Sequence, residues 1–449
     1  MISVSTAEFQ NIDDAFYWVS ERRRLGIKLG LHNIKRVLHL LGHPEKQYPV
    51  IHVAGTNGKG SVCATLTEML VSAGYRTGLY TSPHLVDLRE RFCIDGRNVE
   101  DEPLRQSLSK VRAICEENHI DATHFEVITA AAADVFASQG VEVGIFETGM
   151  GGRLDATRAL DNTALTVLTR IGFDHMNFLG DTLEAIAGEK AGIIRPGVPT
   201  ITSHQEPEAL AVIQRAAAMM EAPIIEWDFR REGEGVVLQY GEDDLAIESF
   251  GIHGEHQKEN AALAAACARY LDAHTELSIS GEAIRQGAAN VFWPGRLQLL
   301  EGAQPMMLLD VAHNVDGMET LVEFMETNES IPPADKRVVL MGLMTDKEIE
   351  PIVDILHNHA STFVFTRPHS YRAVDPKRLQ VALDGRKESL VVPMPVDALQ
   401  EARKQVPEGG ILIICGSFYI LGGIIEWLRA EGTDVLSCGR SRVSAPAEL

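Results

Sequence analysis

The residues best suited to chemistry stand in one short run, Gly55-Thr56-Asn57-Gly58-Lys59-Gly60-Ser61. Glycines let a backbone turn tightly so that successive N–H groups face an anion, and a following helix adds the positive end of its dipole. Lys59 can neutralise the β- and γ-phosphates of a nucleotide, and the Ser61 hydroxyl is placed to hold Mg2+. The general phosphate-loop spacing is G-x4-G-K-[ST]. This run departs from it twice. Gly58 follows Gly55 too closely, and Gly60 stands between the lysine and the hydroxyl.

Three more groups stand where chemistry could use them. Glu147 closes an apolar run just ahead of Gly149-Met150-Gly151-Gly152, and a carboxylate at the carboxyl end of a parallel strand suits a hard cation. His175 follows Ile171-Gly172-Phe173-Asp174 at what reads as another strand end. It is a candidate ligand or a hydrogen-bonded loop histidine. Lys190 lies on the apolar stripe of Leu183, Ile186, Ala187 and Ile194 in a helix expected over Thr182–Ile194. Such a lysine either snorkels outward or is held for chemistry. Desolvation raises its neutral fraction, and the neutral amine is the form that takes up CO2.

These groups need elements to position them. Tyr48–Ala54, Val141–Glu147 and Ala164–Thr169 read as buried strands, and Ser61–Ala73 has helical periodicity. Gly233–Ile252 alternates (Val236, Leu238, Tyr240, Leu245, Ile247) as an antiparallel insertion would, and helices follow at 256–272 and 280–290. Trp293-Pro294-Gly295-Arg296 interrupts the pattern. A fresh strand–helix series then begins, with strands near Met306–Asp310, Arg337–Met341, Thr362–Thr366, Ser389–Val392 and Gly410–Cys415. The expected fold class is α/β. A doubly wound, mainly parallel phosphate-loop domain spans 1–296, a smaller Rossmann-like domain spans 297–436, and 437–449 is a disordered tail.

The chain has 449 residues, 45% hydrophobic and 23% charged, an ordinary globular balance. Lys plus Arg number 41 against 63 Asp plus Glu, a net charge of −22. That excess argues against a nucleic-acid or anionic-membrane surface. Any positive pocket must be local. Arg22-Arg23-Arg24 with Lys28 is one candidate, though such a run also reads as a solvated helix face. No apolar run reaches the ~18 residues of a membrane helix, and Met1–Trp18 lacks a signal pattern. The six cysteines form no CxxC pair and read as reduced thiols of a cytoplasmic protein.

The run G-T-N-G-K-G-S resembles the ATP loop of the folylpolyglutamate synthase/dihydrofolate synthase family, relatives of the Mur ligases. The resemblance continues in order along the chain. Thr81-Ser82-Pro83-His84-Leu85 with Glu90-Arg91, Phe125-Glu126 with Thr129, and Gly149 to Thr157 are similar to family segments. So are Gly172 to His175, Glu189 to Ile193, His256-Gln257 with Asn260, Pro294-Gly295-Arg296, Asp310 to Asn314, and Cys415-Gly416-Ser417. Gly60 is similar to the extra glycine that separates the folate enzymes from Mur ligases, and the stretch before Gly55 is too short for a Mur nucleotide-sugar domain.

The resemblance implies an ATP-dependent ligase that adds L-glutamate to dihydropteroate or to folate through an acyl phosphate. It implies Mg2+ on Ser82, Glu147 and His175, and a carbamate on Lys190 supporting a second Mg2+. A monovalent cation, K+, is also allowed. Asn260, Arg296 and Asp310 would reach the ATP, Arg296 on domain closure. The pterin end would meet Leu29-Gly30-Leu31, Thr123-His124-Phe125-Glu126 and Arg153-Leu154-Asp155-Ala156. Phe125 would stack on the ring, or else pack in the core. His313 and Ser417 would face the glutamate. The catalytic set is then Lys59, His175, Lys190, Asp310 and His313, in a monomer that binds only small molecules. Val311, Val315 and Arg158 depart from the family's glycine, proline and asparagine. A β-branched Val311 restricts the backbone beside His313. A Mur-type ligase acting on a non-folate acid, or a phosphate-loop hydrolase or kinase, is the alternative left by the residues alone.

Overall fold

The structure, a computed structural model, describes residues 8–26, 30–241, 243–433 and 435. Lys28, Leu29, Cys438 and the expected tail 437–449 lie outside the described residues. The chain divides into two units, Met1–Val291 and Phe292–Leu449. The division precedes the expected break at 296 because the Trp-Pro-Gly-Arg turn is tied into the second unit. Gly295 N–H donates to Gln298 Oε1 at 3.0 Å, and its carbonyl accepts from Val311 N–H at 2.9 Å.

The first unit is built on strands β1 (Val50–Ala54), β2 (Thr77–Tyr80), β3 (Phe92–Ile94), β4 (Arg97–Asn98), β5 (Val143–Glu147), β6 (Thr163–Leu168) and β7 (Thr200–Thr202), in the order β4-β3-β2-β5-β1-β6-β7. Only β3 is reversed: it pairs antiparallel with both β2 and β4, and every other pair is parallel. Every residue of β1 and β5 is buried. A parallel sheet covered on both faces needs continuous apolar strands, which is how these two read in sequence. Register sets Val53 beside Glu147 and Ala54 beside Leu168, so the loops after β1, β5 and β6 leave the sheet side by side.

The helix after β1 spans Lys59–Ser72 and is buried on almost every side from Gly60 to Leu70, packed by helices Glu255–His274 and Gly281–Asn290. It starts earlier than its apolar pattern, because Gly58, at φ 86°, ends the loop and serves as its N-cap. Helix Leu183–Ala191 is capped by the Thr182 side chain and stops short of Ile194, at Gly192. The expected insertion is a three-stranded antiparallel sheet, β8 (Asp228–Glu232), β9 (Gly235–Tyr240) and β10 (Asp243–Ile247). Its first strand is mostly exposed and polar, so alternation could not mark it.

The second unit carries β11 (Gln298–Leu300), β12 (Met306–Leu309), β13 (Arg337–Met341), β14 (Thr362–Phe365), β15 (Glu388–Val391) and β16 (Ile411–Cys415), in the order β11-β12-β16-β13-β14-β15. All pairs but β11–β12 are parallel. Leu308, Val339, Met341, Phe363, Phe365, Ile411 and Ile413 form its core with the covering helices.

Candidate active site

The loop from Gly55 to Ser61 is held from behind by the loop after β6. Arg170 C=O accepts from Thr56 N–H at 2.9 Å and Asn57 N–H at 3.3 Å. Thr56 Oγ1 donates to Gly172 C=O at 2.9 Å, and Thr169 Oγ1 donates to Asn57 C=O at 2.7 Å. Gln205 ties that second loop in turn: it accepts from Ile171 N–H at 3.0 Å and donates to Thr169 C=O at 3.0 Å. Asn260 sits against the turn; a Cβ at Gly58 would lie 2.5 Å from its Oδ1. Ser61, on the first helical turn, is buried. The leading N–H groups of that helix have no intrahelical acceptor.

Two lysines meet at this loop. Lys59 Nζ donates to the carbonyls of Gly55 and Thr56, both at 3.0 Å. Lys190 Nζ donates to the same Gly55 carbonyl at 2.7 Å. The Lys190 side chain therefore points inward and does not snorkel; the residue is 4% exposed. Burial, then the charge of Lys59, lowers its pKa from 10.5 to about 7, against the pull of Asp174 and Asp155. Neutral amine is thus abundant at neutral pH.

Beside them lies a pair of hard oxygens. Glu147, the last residue of β5, is 5% exposed and accepts from Ser82 N–H at 3.1 Å. The Ser82 hydroxyl is buried without a hydrogen-bond partner. An orphaned hydroxyl next to a buried carboxylate fits Mg2+, which takes oxygen ligands. His175 is not at a strand end, because β6 stops at Leu168 and a loop follows. It adopts φ 52°, unusual for a residue with a side chain, and begins the short helix Met176–Leu179 with its N–H on Asp174 Oδ1 at 2.7 Å.

The expected pterin residues separate into two kinds. Thr123 and Glu126 form a reciprocal cap on helix His124–Ser138 (2.7 and 3.3 Å). Asp155 spends one oxygen on Gly149 and Met150 N–H and the other on Thr157, which shapes the glycine turn. The Arg153 guanidinium pairs with Glu189 at 2.7 Å, and Ala156 is buried. Phe125, Leu31 and the cluster around Tyr80 share one core, with Phe125 against Gly149 and 6.0 Å from Tyr80. Gly30 (φ 131°) has open space where a side chain would be, and Leu154 is half-buried. His124 Nδ1–H donates to Val19 C=O at 3.1 Å, and its Nε2 is buried without a partner. His84 Nδ1 accepts from Arg91 Nε at 2.9 Å. Burial, with Arg91 and Arg23, pushes His84 to about 3 and His124 to about 4, so both stay neutral. Of the arginine run, Arg22 stacks 4.4 Å over Trp18 and Arg24 pairs with Glu21 at 2.8 Å.

In the second unit the expected residues gather where β12 and β16 end. Asp310 accepts from Leu297 N–H at 2.8 Å and Ala312 N–H at 2.7 Å, and burial raises its pKa against the pull of Arg296. Ser417 caps helix Phe418–Ala430 through Tyr419 N–H at 3.1 Å. His313 Nδ1 lies 2.7 Å from Val311 C=O with its ring 5.8 Å from Phe418, over which Arg296 sits at 5.3 Å. Val311 is fully buried and is not among the residues at positive φ, so it stands in for a glycine without strain. Val315 opens helix Val315–Thr327, whose cap is Asn314. Arg158 Nε donates to Gly192 C=O at 2.9 Å.

Sequence reasoning missed Thr169 and Gln205, which brace the phosphate loop, and the Asp346–Lys347 pair (3.4 Å), whose lysine side chain is 6% exposed just past β13. No spacing marks a lone glutamine. A lysine after an apolar strand was the available signal for Lys347.

Residues 53–268 match the model of the Mur ligase middle domain, and residues 295–418 that of the Mur ligase, glutamate ligase domain. The chain is 36% identical over 436 residues to the dihydrofolate synthase/folylpolyglutamate synthase of Bacillus subtilis (strain 168), covering 94% of this chain and 100% of the relative. The Escherichia coli (strain K12) protein of the same name is 31% identical, with 92% and 95% covered. Among solved structures, E. coli FolC in complex with DHPP and ADP is similar with a TM-score of 0.84 at 30% identity, covering 93% of this chain and 98% of that one. A bifunctional folylpolyglutamate synthase/dihydrofolate synthase with Mn, AMPPNP and L-glutamate bound has a TM-score of 0.83 at 31% identity, covering 92% and 98%.

Proposed function

The chain belongs to the dihydrofolate synthase/folylpolyglutamate synthase family of Mur ligases, and on that premise we propose that it joins L-glutamate to the carboxylate of dihydropteroate or of a reduced folate at the expense of ATP. The observation that carries the reading is the first unit's corner: two lysine amines on one carbonyl of a phosphate loop, beside a buried carboxylate and an orphaned hydroxyl. The acceptor carboxylate attacks the γ-phosphorus of ATP, giving an acyl phosphate and ADP. The neutral amine of glutamate then attacks the acyl carbon, and inorganic phosphate leaves as the amide forms.

The loop N–H groups and Lys59 bind and orient the triphosphate, which is most of what phosphoryl transfer requires of a protein. Ser61, Ser82, Glu147 and His175 would hold the divalent metal. When bound, that metal neutralises charge on the transferring phosphoryl group. The neutral Lys190 amine would add to CO2 with loss of a proton, and the resulting carbamate would supply a second anionic ligand. Asn260, Arg296 and Asp310 serve the nucleotide, His313 and Ser417 the glutamate. His124 and Phe125 offer the pterin one unpartnered nitrogen and one aromatic face. We assign K+ as an accessory ion, a monomer as the working state and the cytoplasm as its place. No helix among the described residues is long and apolar enough to cross a membrane.

The test is phosphate release from ATP and L-glutamate with dihydropteroate, with tetrahydrofolate, and with no pterin. Release that requires either acid is expected. Pterin-independent release, or ATP binding with no release on either acid, would overturn the assignment.

A further inference from the structure

The ends of β1 and β6 opposite the phosphate loop carry a second cluster of ligand atoms. His43 and Glu45 lie just ahead of β1, and Asp161 just ahead of β6. One ligand atom from each lies within 4.8 Å of the others. His43 Nδ1 is 3.0 Å from Glu45 Oε1. Glu45 is 0% exposed, and its Oε2 is buried with no hydrogen-bond partner. Asp161 pairs with Lys46 at 3.4 Å through Oδ2.

An ion pair between His43 and Glu45 accounts for Oε1 and leaves Oε2 as it is. A buried carboxylate oxygen without a donor is a costly arrangement that a cation relieves. We propose that His43, Glu45 and Asp161 form a binding site for a Zn2+-like divalent ion. One imidazole nitrogen with two carboxylates is a donor set that Zn2+ accepts, with bonds of about 2.0–2.2 Å and water completing the shell. His39 Nδ1, 3.3 Å from His43 Nε2, can accept the outer N–H and so fix the metal-binding tautomer. The site is separate from the catalytic corner, since Glu147 ends β5 while these residues precede β1 and β6. A metal here would clamp the entries of two neighbouring strands, binding the folded chain and not the unfolded one.

The experiment uses metal-stripped full-length chain carrying Glu147→Gln, so that the catalytic corner is weakened, and titrates ZnCl2 by calorimetry while recording Tm. One bound Zn2+ per chain and a raised Tm are expected. Both effects should vanish when His43→Gln and Asp161→Asn are added; those side chains are 33% and 53% exposed, so the variant should fold. Glu45→Gln, which neutralises the buried oxygen, should abolish the Zn2+ response without lowering the metal-free Tm. Absent binding, or binding undiminished in the double variant, overturns the site.

Discussion

At the mouth of β1 the amines of Lys59 and Lys190 converge on one carbonyl and the Ser82 hydroxyl lacks a partner. At the mouth of β12, by contrast, Asp310 gives both oxygens to backbone N–H groups and Ser417 gives its hydroxyl to a helix cap. Both places lie at the carboxyl ends of parallel strands, and both carry conspicuous polar residues. The first holds groups in electrostatic tension that a bound anion and cation would relieve. The second holds groups whose hydrogen bonds within the chain are already made, and those bonds also shape the loops that carry Arg296 and His313. Substitutions at the first corner should therefore damage turnover with little loss of fold. Those at the second should cost stability as well.

The largest effect is expected from Glu147→Gln, which should lower kcat/KM by about 10³-fold in steady-state phosphate release with a near-normal Tm. A fall below tenfold would break the comparison. Lys190→Ala should lose about 10²-fold and regain activity with small carboxylates; no rescue would remove the carbamate.

The same lysine makes a stability prediction. Its folded pKa of about 7 lies below the ordinary 10.5, so the unfolded chain binds more protons between those values. The burial penalty is full below pH 7 and fades as pH rises towards 10.5. Without CO2, wild-type stability should climb across that window relative to Lys190→Met, as followed by urea midpoints.

Smaller effects sharpen the contrast. Asp310→Asn leaves one backbone N–H facing an amide donor and should cost about 1–3 kcal/mol, seen as a lower urea midpoint. Gln205→Leu removes the brace behind the phosphate loop and should raise KM for MgATP about tenfold, the equivalent of one or two hydrogen bonds. KM for the pterin acid should not change. An equal change in both constants would make Gln205 a general packing residue.

Much of this was legible in the chain. The runs that became β1, β5, β12, β13 and β16 are apolar because both sheet faces are covered. The glycine-rich loop announces itself, since only certain residues tolerate its φ values and its close approaches; Gly58 is at φ 86° against Asn260. The polar strand β8 was not legible, because an exposed strand shows no alternation. Nor was the end of helix Leu183–Ala191, where Ile193 and Ile194 stay buried after the helix has stopped. Thr123, Glu126 and Asp155 were expected at substrate, and each is engaged in a cap or turn.

The sequence by itself determined the α/β class, the phosphate loop and the residue types at each strand end, because local spacing and burial pattern are written along the chain. Only the tertiary structure decided that Lys190 does not snorkel outward. Its amine is turned onto Gly55, 135 positions away in the chain, where desolvation and Lys59 lower its pKa. Spacing along a helix fixes the side on which a lysine lies, but its charge state depends on what the rest of the chain packs around it.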